Sequence, residues 1–214
     1  MEEFKNCIEE FNQDEQTIDY DNAVTKTFLI ASYNNQEFDN VLIKVTVLDR
    51  LYYTNLFYIY EIAKHIKDNA DKLDELISNA DIRAIELIRH GHGIKSKNKE
   101  KDLYSFATKY CHWSNPNHKY PIFDNKVEIA LKYMRDKNQI QFFSNDDLRD
   151  YEKFKKIIDE VREKVNNISY KEIDKGLWQM GKKLRRKIKN PYQAQKNRPL
   201  GYTAKLGTIS QQGW

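Results

Sequence analysis

Apolar residues recur at helical spacing along almost the whole chain, and only seven glycines and four prolines in 214 residues are available to break it. Tyr20, Ala23, Val24, Phe28, Leu29 and Ile30 mark a run over about 17–34, and Leu42, Val45, Leu48, Leu51 and Tyr52 form one stripe behind a cap at Asp39 or Asn40. Ile59, Ile62, Ala63 and Ile66 repeat the pattern, and 73–78 and 82–89 read as two shorter helices. After the break at His90-Gly91-His92-Gly93, residues 95–101 read as loop. Helical stripes resume over 103–113 and 125–135. Asn145 or Asp146 opens a run through Tyr151, Phe154, Ile157, Ile158 and Val161. Ser169 begins a Ser-Tyr-Lys-Glu capping box ahead of Ile173, Leu177, Trp178 and Leu184. Strand alternation is missing, so the pattern predicts an all-α protein of about nine helices. Trp178, at an apolar position, is expected in the core. A polar tail covers 191–214.

Composition narrows the class. Hydrophobic residues are 40% and charged residues 32%, enough for a core, and no apolar run approaches the ~20 residues of a membrane span. Cys7 and Cys111 are too few for a disulfide framework, zinc knuckle or iron–sulfur site, which fits a reduced cytoplasmic compartment. The net charge is +4, but the first 40 residues are acidic, whereas 182–189 hold six of the 36 basic side chains and 95–101 hold four more. That asymmetry fits a phosphate-facing surface, and equally a solvated helix end.

Two residues carry the chemistry. Lys109 lies ~120° around its helix from the stripe of Leu103, Phe106, Ala107 and Tyr110. That position predicts an exposed amine able to point into a groove, where partial desolvation lowers its pKa and makes it a nucleophile. Asp124 precedes Asn125-Lys126-Val127-Glu128 as an N-cap. Backbone N–H groups and the helix dipole are expected to keep it ionised and able to stabilise an oxocarbenium-like sugar. Pro121 stiffens the approach, and Ile122 and Phe123 anchor the turn. His112 and Trp113, one turn past Lys109, are placed to line a base pocket or simply to pack on the core. Asn55 offers a short amide to pair with the partner of a flipped base, or is a helix-boundary turn residue. His90 and His92 flank a glycine and read as loop residues rather than metal ligands; no metal or organic cofactor is called for.

The block Lys109…Tyr120-Pro121-Ile122-Phe123-Asp124-Asn125-Lys126-Val127 resembles the helix-hairpin-helix DNA glycosylases, and most nearly the 8-oxoguanine DNA glycosylase (OGG)-like bacterial proteins. There, Phe-Ala-Thr/Ser-Lys-Tyr and Pro-Ile-Tyr-Asp blocks recur with a late block like Asp174-Lys175-Gly176-Leu177-Trp178-Gln179-Met180-Gly181-Lys182. Leu48-Asp49-Arg50-Leu51-Tyr52-Tyr53-Thr54-Asn55 resembles the segment that enters DNA beside the extruded base. The likeness covers about residues 40–182. It implies a two-lobed helical fold with a middle lobe of about 47–134 and a second lobe of 1–46 plus 135–190. It also implies excision of a damaged or modified base from duplex DNA by Lys109 and Asp124, with strand cleavage through a lysine imine where the lyase step occurs. The hairpin departs from the usual Leu-Pro-Gly-Val-Gly: Gly91 and Gly93 are the nearest candidates to grip phosphate, and Lys95 follows them. Lys95 competes for the nucleophile's role but stands 29 positions before Asp124, against 15 for Lys109, which is preferred. Arg185, Arg186, Lys187 and Lys189 are the other candidates for DNA-backbone contacts. A monomer is expected. The alternative is a DNA-binding or sensing module without turnover, for example in phage defence; a helical protein-interaction domain is more distant.

Overall fold

The computed structural model describes residues 1–96 and 98–189, so the tail at 191–214 and the side chain of Lys189 lie outside the described residues. Ten α-helices run through them: α1 (Glu2–Phe11), α2 (Glu15–Ile30), α3 (Phe38–Tyr52), α4 (Ile59–Asp68), α5 (Ala70–Ser78), α6 (Arg83–Arg89), α7 (Tyr104–Ser114), α8 (Asn125–Asp136), α9 (Tyr151–Glu163) and α10 (Tyr170–Lys189). The protein is helical as its periodicity predicts. The loop expected at 95–101 instead contains a two-stranded antiparallel ribbon, β1 (Lys95–Ser96) with β2 (Lys99–Glu100), pairing Lys95 with Glu100 and Ser96 with Lys99.

Side-chain caps mark four of the helix starts, those of α2, α8, α9 and α10. Asp14 caps α2 by accepting from Thr17 N at 3.2 Å, and Asp150 caps α9 through Lys153 N at 3.2 Å. The start expected at Asn145 or Asp146 is a separate 3-10 turn at Asp147–Arg149, because Asp150 begins a new cap. Ser169 Oγ accepts from Glu172 N at 3.1 Å, as a capping box requires, but the Glu172 carboxylate turns to Lys175 at 2.7 Å. Helix α1 has buried Phe4, Cys7 and Phe11 at helical spacing.

One continuous core joins residues from every helix. Around it, α10 packs on α1, α8 and α9, while α7 packs on α2, α3 and α6. In this packing α8 lies with α10, and α2 with α3 and α7. Helix α7 is buried on nearly all sides, from Phe106 through Ser114.

The approach of α10 to the start of α8 depends on Gly181. A Cβ there would overlap the backbone carbonyl of Lys126, whereas at Gly176 it would meet the movable Phe4 ring, 2.6 Å away. Gly181→Ala is therefore expected to lower stability by about 1–3 kcal/mol through overpacking, although alanine adds ~1 kcal/mol of helix propensity. Equilibrium chemical denaturation checks this. Unchanged or raised stability would mean that α8 yields without cost.

Candidate functional site

Helix α7 and the turn after it are tied by side chains of α7. Thr108 Oγ1 accepts from Phe123 N at 3.0 Å, and His112 Nδ1 donates to Tyr120 O at 2.7 Å. Tyr151 donates its hydroxyl to Pro121 O at 3.2 Å, and Tyr120, Ile122 and Phe123 are buried, so the turn is anchored as its sequence predicts. It delivers Asp124 to the start of α8, where Oδ1 accepts from Lys126 N at 2.8 Å and Val127 N at 2.9 Å. Both bonds end on Oδ1, which leaves Oδ2 without a partner among the described residues.

Asp124 lines a cavity of ≈ 290 Å³ enclosed by α2, α3, α7, the start of α8 and α10. Its aromatic walls are Tyr52, Trp113 and Trp178, with Phe11 and Tyr20 nearby. Trp113 Nε1 donates to the Tyr52 hydroxyl at 2.9 Å, which fixes both rings. Lys126 and Lys182 lie over the Trp178 ring at 4.4 and 4.8 Å, and Lys171 lies 4.8 Å from the Trp113 ring centre. Trp178 is thus a half-buried cavity wall rather than the core residue expected of it, because α10 turns this apolar position toward the cavity.

Asp174, from the middle of α10, also lines the cavity, and its Oδ1 is buried with no hydrogen-bond partner among the described residues. Desolvation, with the nearby Asp124 charge adding to it, pushes the Asp174 carboxyl up to about 8; Lys109 and Lys126 oppose the shift. Facing carboxyls of this kind, one engaged by backbone amides and one left bare, differ in how readily they hold a proton. The sequence names Asp174 within a motif, but nothing in periodicity separates it from a solvated helix residue.

Lys109 is not exposed: only 2% of its surface is accessible, because α7 is central and a position off the apolar stripe still meets another helix. Its amine donates to Ser105 Oγ at 2.7 Å and lies 5.6 Å from the centre of the Tyr52 ring. Tyr52 lines the cavity and Lys109 does not. Burial lowers the Lys109 pKa, against the pull of Asp124 and Asp174 and with the push of Lys126. His112 and Trp113 do line the cavity. Burial and the neighbouring His118 hold the His112 pKa down to about 3. The imidazole is therefore neutral at physiological pH, with Nδ1–H committed to Tyr120 O.

The other expected site residues lie elsewhere. Asn55 is exposed, at φ +52°, in a turn that also holds Tyr53 and Phe57 at positive φ; Tyr53 reaches the cavity and Asn55 does not. Phe57 is 84% exposed. Asp49 fixes this turn by accepting from Thr54 Oγ1 and Leu56 N, and Lys101 fixes it by donating to Asn55 O at 3.0 Å and Leu56 O at 3.3 Å. Gly91 and Gly93, at φ +80° and +74°, both donate their N–H to Glu100 Oε1, at 2.9 and 3.2 Å. The expected phosphate grip is thus held by the chain's own carboxylate. His92 accepts from Ile94 N and donates to Lys101 O, so both its ring nitrogens serve the hairpin. Lys95 is exposed on β1.

The charge asymmetry resolves partly within the molecule. Lys183 pairs with Glu10 at 2.7 Å, Lys182 with Asp14 at 3.2 Å and Lys171 with Asp21 at 2.9 Å. Arg185, Arg186 and Lys187 remain exposed at the end of α10. Burial lowers the Lys126 pKa against the pull of Asp124, and the charge of Arg185 adds to the lowering.

The family model for the HI_0787_N N-terminal domain matches residues 3–118. The chain belongs to this family. An uncharacterized protein of Haemophilus influenzae (strain Rd) is 37% identical over 150 residues, 70% of each chain. No solved structure matches the chain. The matched domain contributes Tyr52, His112 and Trp113 to the cavity, and Asp124 and Asp174 come from beyond it.

A raised folded-state pKa for Asp174 has a signed consequence. The folded protein keeps the proton that the unfolded chain releases near the ordinary value of 3.8. Stability from this group is therefore full below that value and is lost as pH rises toward about 8. Asp174→Asn, which keeps the shape without the titration, should flatten that slope and be more stable than wild type at pH 8, by on the order of 1 kcal/mol or more. Urea unfolding from pH 4 to pH 8.5 checks this; parallel curves for the two proteins would exclude a neutral Asp174.

Proposed function

We propose that this protein binds DNA with one nucleotide extruded into the cavity and cleaves its N-glycosidic bond. The observation that carries the reading is the cavity itself: three aromatic walls and the carboxyls of Asp21, Asp124 and Asp174, with Asp124 a rigid N-cap and Asp21 paired to Lys171, inside a rim of lysines. At ≈ 290 Å³ it is near the lower end of the ~300–1,000 Å³ of small-molecule sites, which suits one flat base with part of its sugar. The indole and phenol faces of Trp113, Trp178 and Tyr52 would stack on the base, as in other sites that take a base out of its helix. Lys126, with Arg185, Arg186 and Lys187 of the exposed end of α10, would meet the flanking phosphates. The resemblance of the Lys109–Asp124 block to the helix-hairpin-helix glycosylases points to the same reaction.

Departure of the base leaves positive charge on the sugar, which the Asp124 carboxylate would stabilise. Its cap bonds fix the group before the charge develops, so little reorganisation is needed. Lys109, with its amine on Ser105 and over Tyr52, is positioned to hold the electrostatics of the two carboxyls. It is buried and does not line the cavity, so base release without strand cleavage is the favoured outcome.

Asp124→Asn should reduce base release by about 10²-fold or more while changing stability by only a few tenths of a kcal/mol, since asparagine is also a good N-cap. Single-turnover assays on duplexes carrying one uracil, hypoxanthine, 8-oxoguanine or 7-methylguanine read the first, and denaturation the second. Equal rates would leave Asp124 a cap alone; DNA binding with no release from any duplex would favour the sensing module.

Borohydride treatment of the same reactions reads the lyase step. Little covalent trapping is expected for wild type, and Lys109→Gln should abolish whatever occurs. Trapping that survives in Lys109→Gln and vanishes in Lys95→Gln would move the nucleophile to the hairpin.

A further inference from the structure

The orphaned carboxyl of α10 has no structural task. Among the described residues it forms no ion pair within 4 Å, and Oδ1 is buried without a hydrogen-bond donor. A buried polar atom in that condition costs folding energy, so it is an expensive thing to keep for packing alone. Gly181, seven residues further along α10, lets this helix press against the first turn of α8, and Asp174 and Asp124 come to line one cavity. The charged groups around Asp174 are Asp124 and Lys126 from α8 and its cap, Lys109 from α7, and Asp21 from α2; Lys171 and Lys175 share its own helix. The Tyr52 phenol of α3 also feels its charge.

We propose that Asp174 is the general acid that protonates the departing base, which makes neutral bases, poor leaving groups as anions, the substrate class of this cavity. The inference rests on the base-excision reading above. The C1′–N bond breaks with its electron pair going to the base, and the proton of the Asp174 carboxyl joins that nitrogen. Water then adds to C1′ of the sugar, held as a cation beside Asp124, and gives its proton to the Asp174 carboxylate. The sum is hydrolysis to free base and abasic sugar, with both carboxyls returned to their starting states. The two groups divide the labour because their surroundings differ: Asp124 Oδ1 accepts from two backbone amides, whereas Asp174 Oδ1 is buried with no donor among the described residues. A proton held up to about 8 is available for transfer through the neutral range.

The test uses the leaving group. A 7-methylated guanine already carries positive charge and departs neutral without a proton, whereas uracil, hypoxanthine and 8-oxoguanine do not. The full-length protein, its Asp174→Asn variant and its Asp124→Asn variant are compared in single-turnover release from duplexes with one such base each, from pH 5 to pH 9. The expected result is a ~10²–10⁴-fold loss for neutral bases in Asp174→Asn, with 7-methylguanine released within a few-fold of wild type. Wild-type release of neutral bases should also fall as pH rises past about 8, and that limb should be absent in Asp174→Asn. Asp124→Asn should slow both classes together. Equal losses for both base classes in Asp174→Asn would make Asp174 a positioning residue and overturn the inference. So would unchanged rates, or wild-type release of 7-methylguanine only, while the base-excision reading would stand in each case. Release of no base by wild type from any of the four duplexes would overturn the reading itself and the inference with it. The urea curves of the same variant establish that it is folded.

Discussion

A helix buried on nearly all sides finds partners for its polar side chains within the protein or leaves them bare, and α7 pairs four of its own while Tyr104 Oη and Ser114 Oγ have no partner among the described residues. Thr108 meets this need at Phe123 N, His112 at Tyr120 O, Trp113 at the Tyr52 hydroxyl, and Tyr110 at Asn35 Oδ1. The four bonds recruit three neighbours: the turn that delivers Asp124, the end of α3, and the loop after α2. Buried donors and acceptors left alone cost ~1–3 kcal/mol each, so the arrangement of the surrounding segments follows from the polar residues of one helix. The loop after α2 shows the consequence. Lys44 is fully buried, donating to Asn34 O at 2.7 Å and Asn35 Oδ1 at 3.0 Å, with its pKa lowered to about 8 by desolvation and its amine over Phe28 and Tyr110.

What could be read from the sequence follows the reach of each signal. Helix positions are local, so α2 to α10 fall near their predicted spans, and the Asp124 cap needs only three residues to be recognised. Helix α1, without an expected span, is legible afterwards in Phe4, Cys7 and Phe11. Lys109 shows where local reasoning stops. An angle of ~120° from the apolar stripe means solvent only for a helix with one buried face, and the centre of the fold is set by partners far away in the chain. Asp174 and Trp178 fail to stand out for the same reason. Their side chains matter because α10 crosses α8 at Gly181, and no window of sequence contains both helices.

Charge shows a third kind of limit. The acidic first helices and the basic last helix look like separate surfaces in sequence, yet Glu10, Asp14 and Asp21 meet Lys183, Lys182 and Lys171. These are partly exposed pairs, each worth ~0–1 kcal/mol. Their larger effect is to subtract three positive charges from any nucleic-acid face and leave Arg185, Arg186 and Lys187 as the exposed remainder at the described end of α10.

The two-stranded ribbon is small, but adjacent residues of it hold opposite ends of a linkage. Glu100 is fastened to the amides of Gly91 and Gly93, and Lys101 to the carbonyls of Asn55 and Leu56, beside Tyr53 at the cavity. Standing only nine and seven residues from Gly91 and Gly93, the Glu100 carboxylate has a local concentration on the order of millimolar or above. A free anion must outcompete that occupant to reach the glycine amides. The amides that the sequence offers for phosphate are thus occupied from within the hairpin, and the next residue, Lys101, holds the turn beside Tyr53.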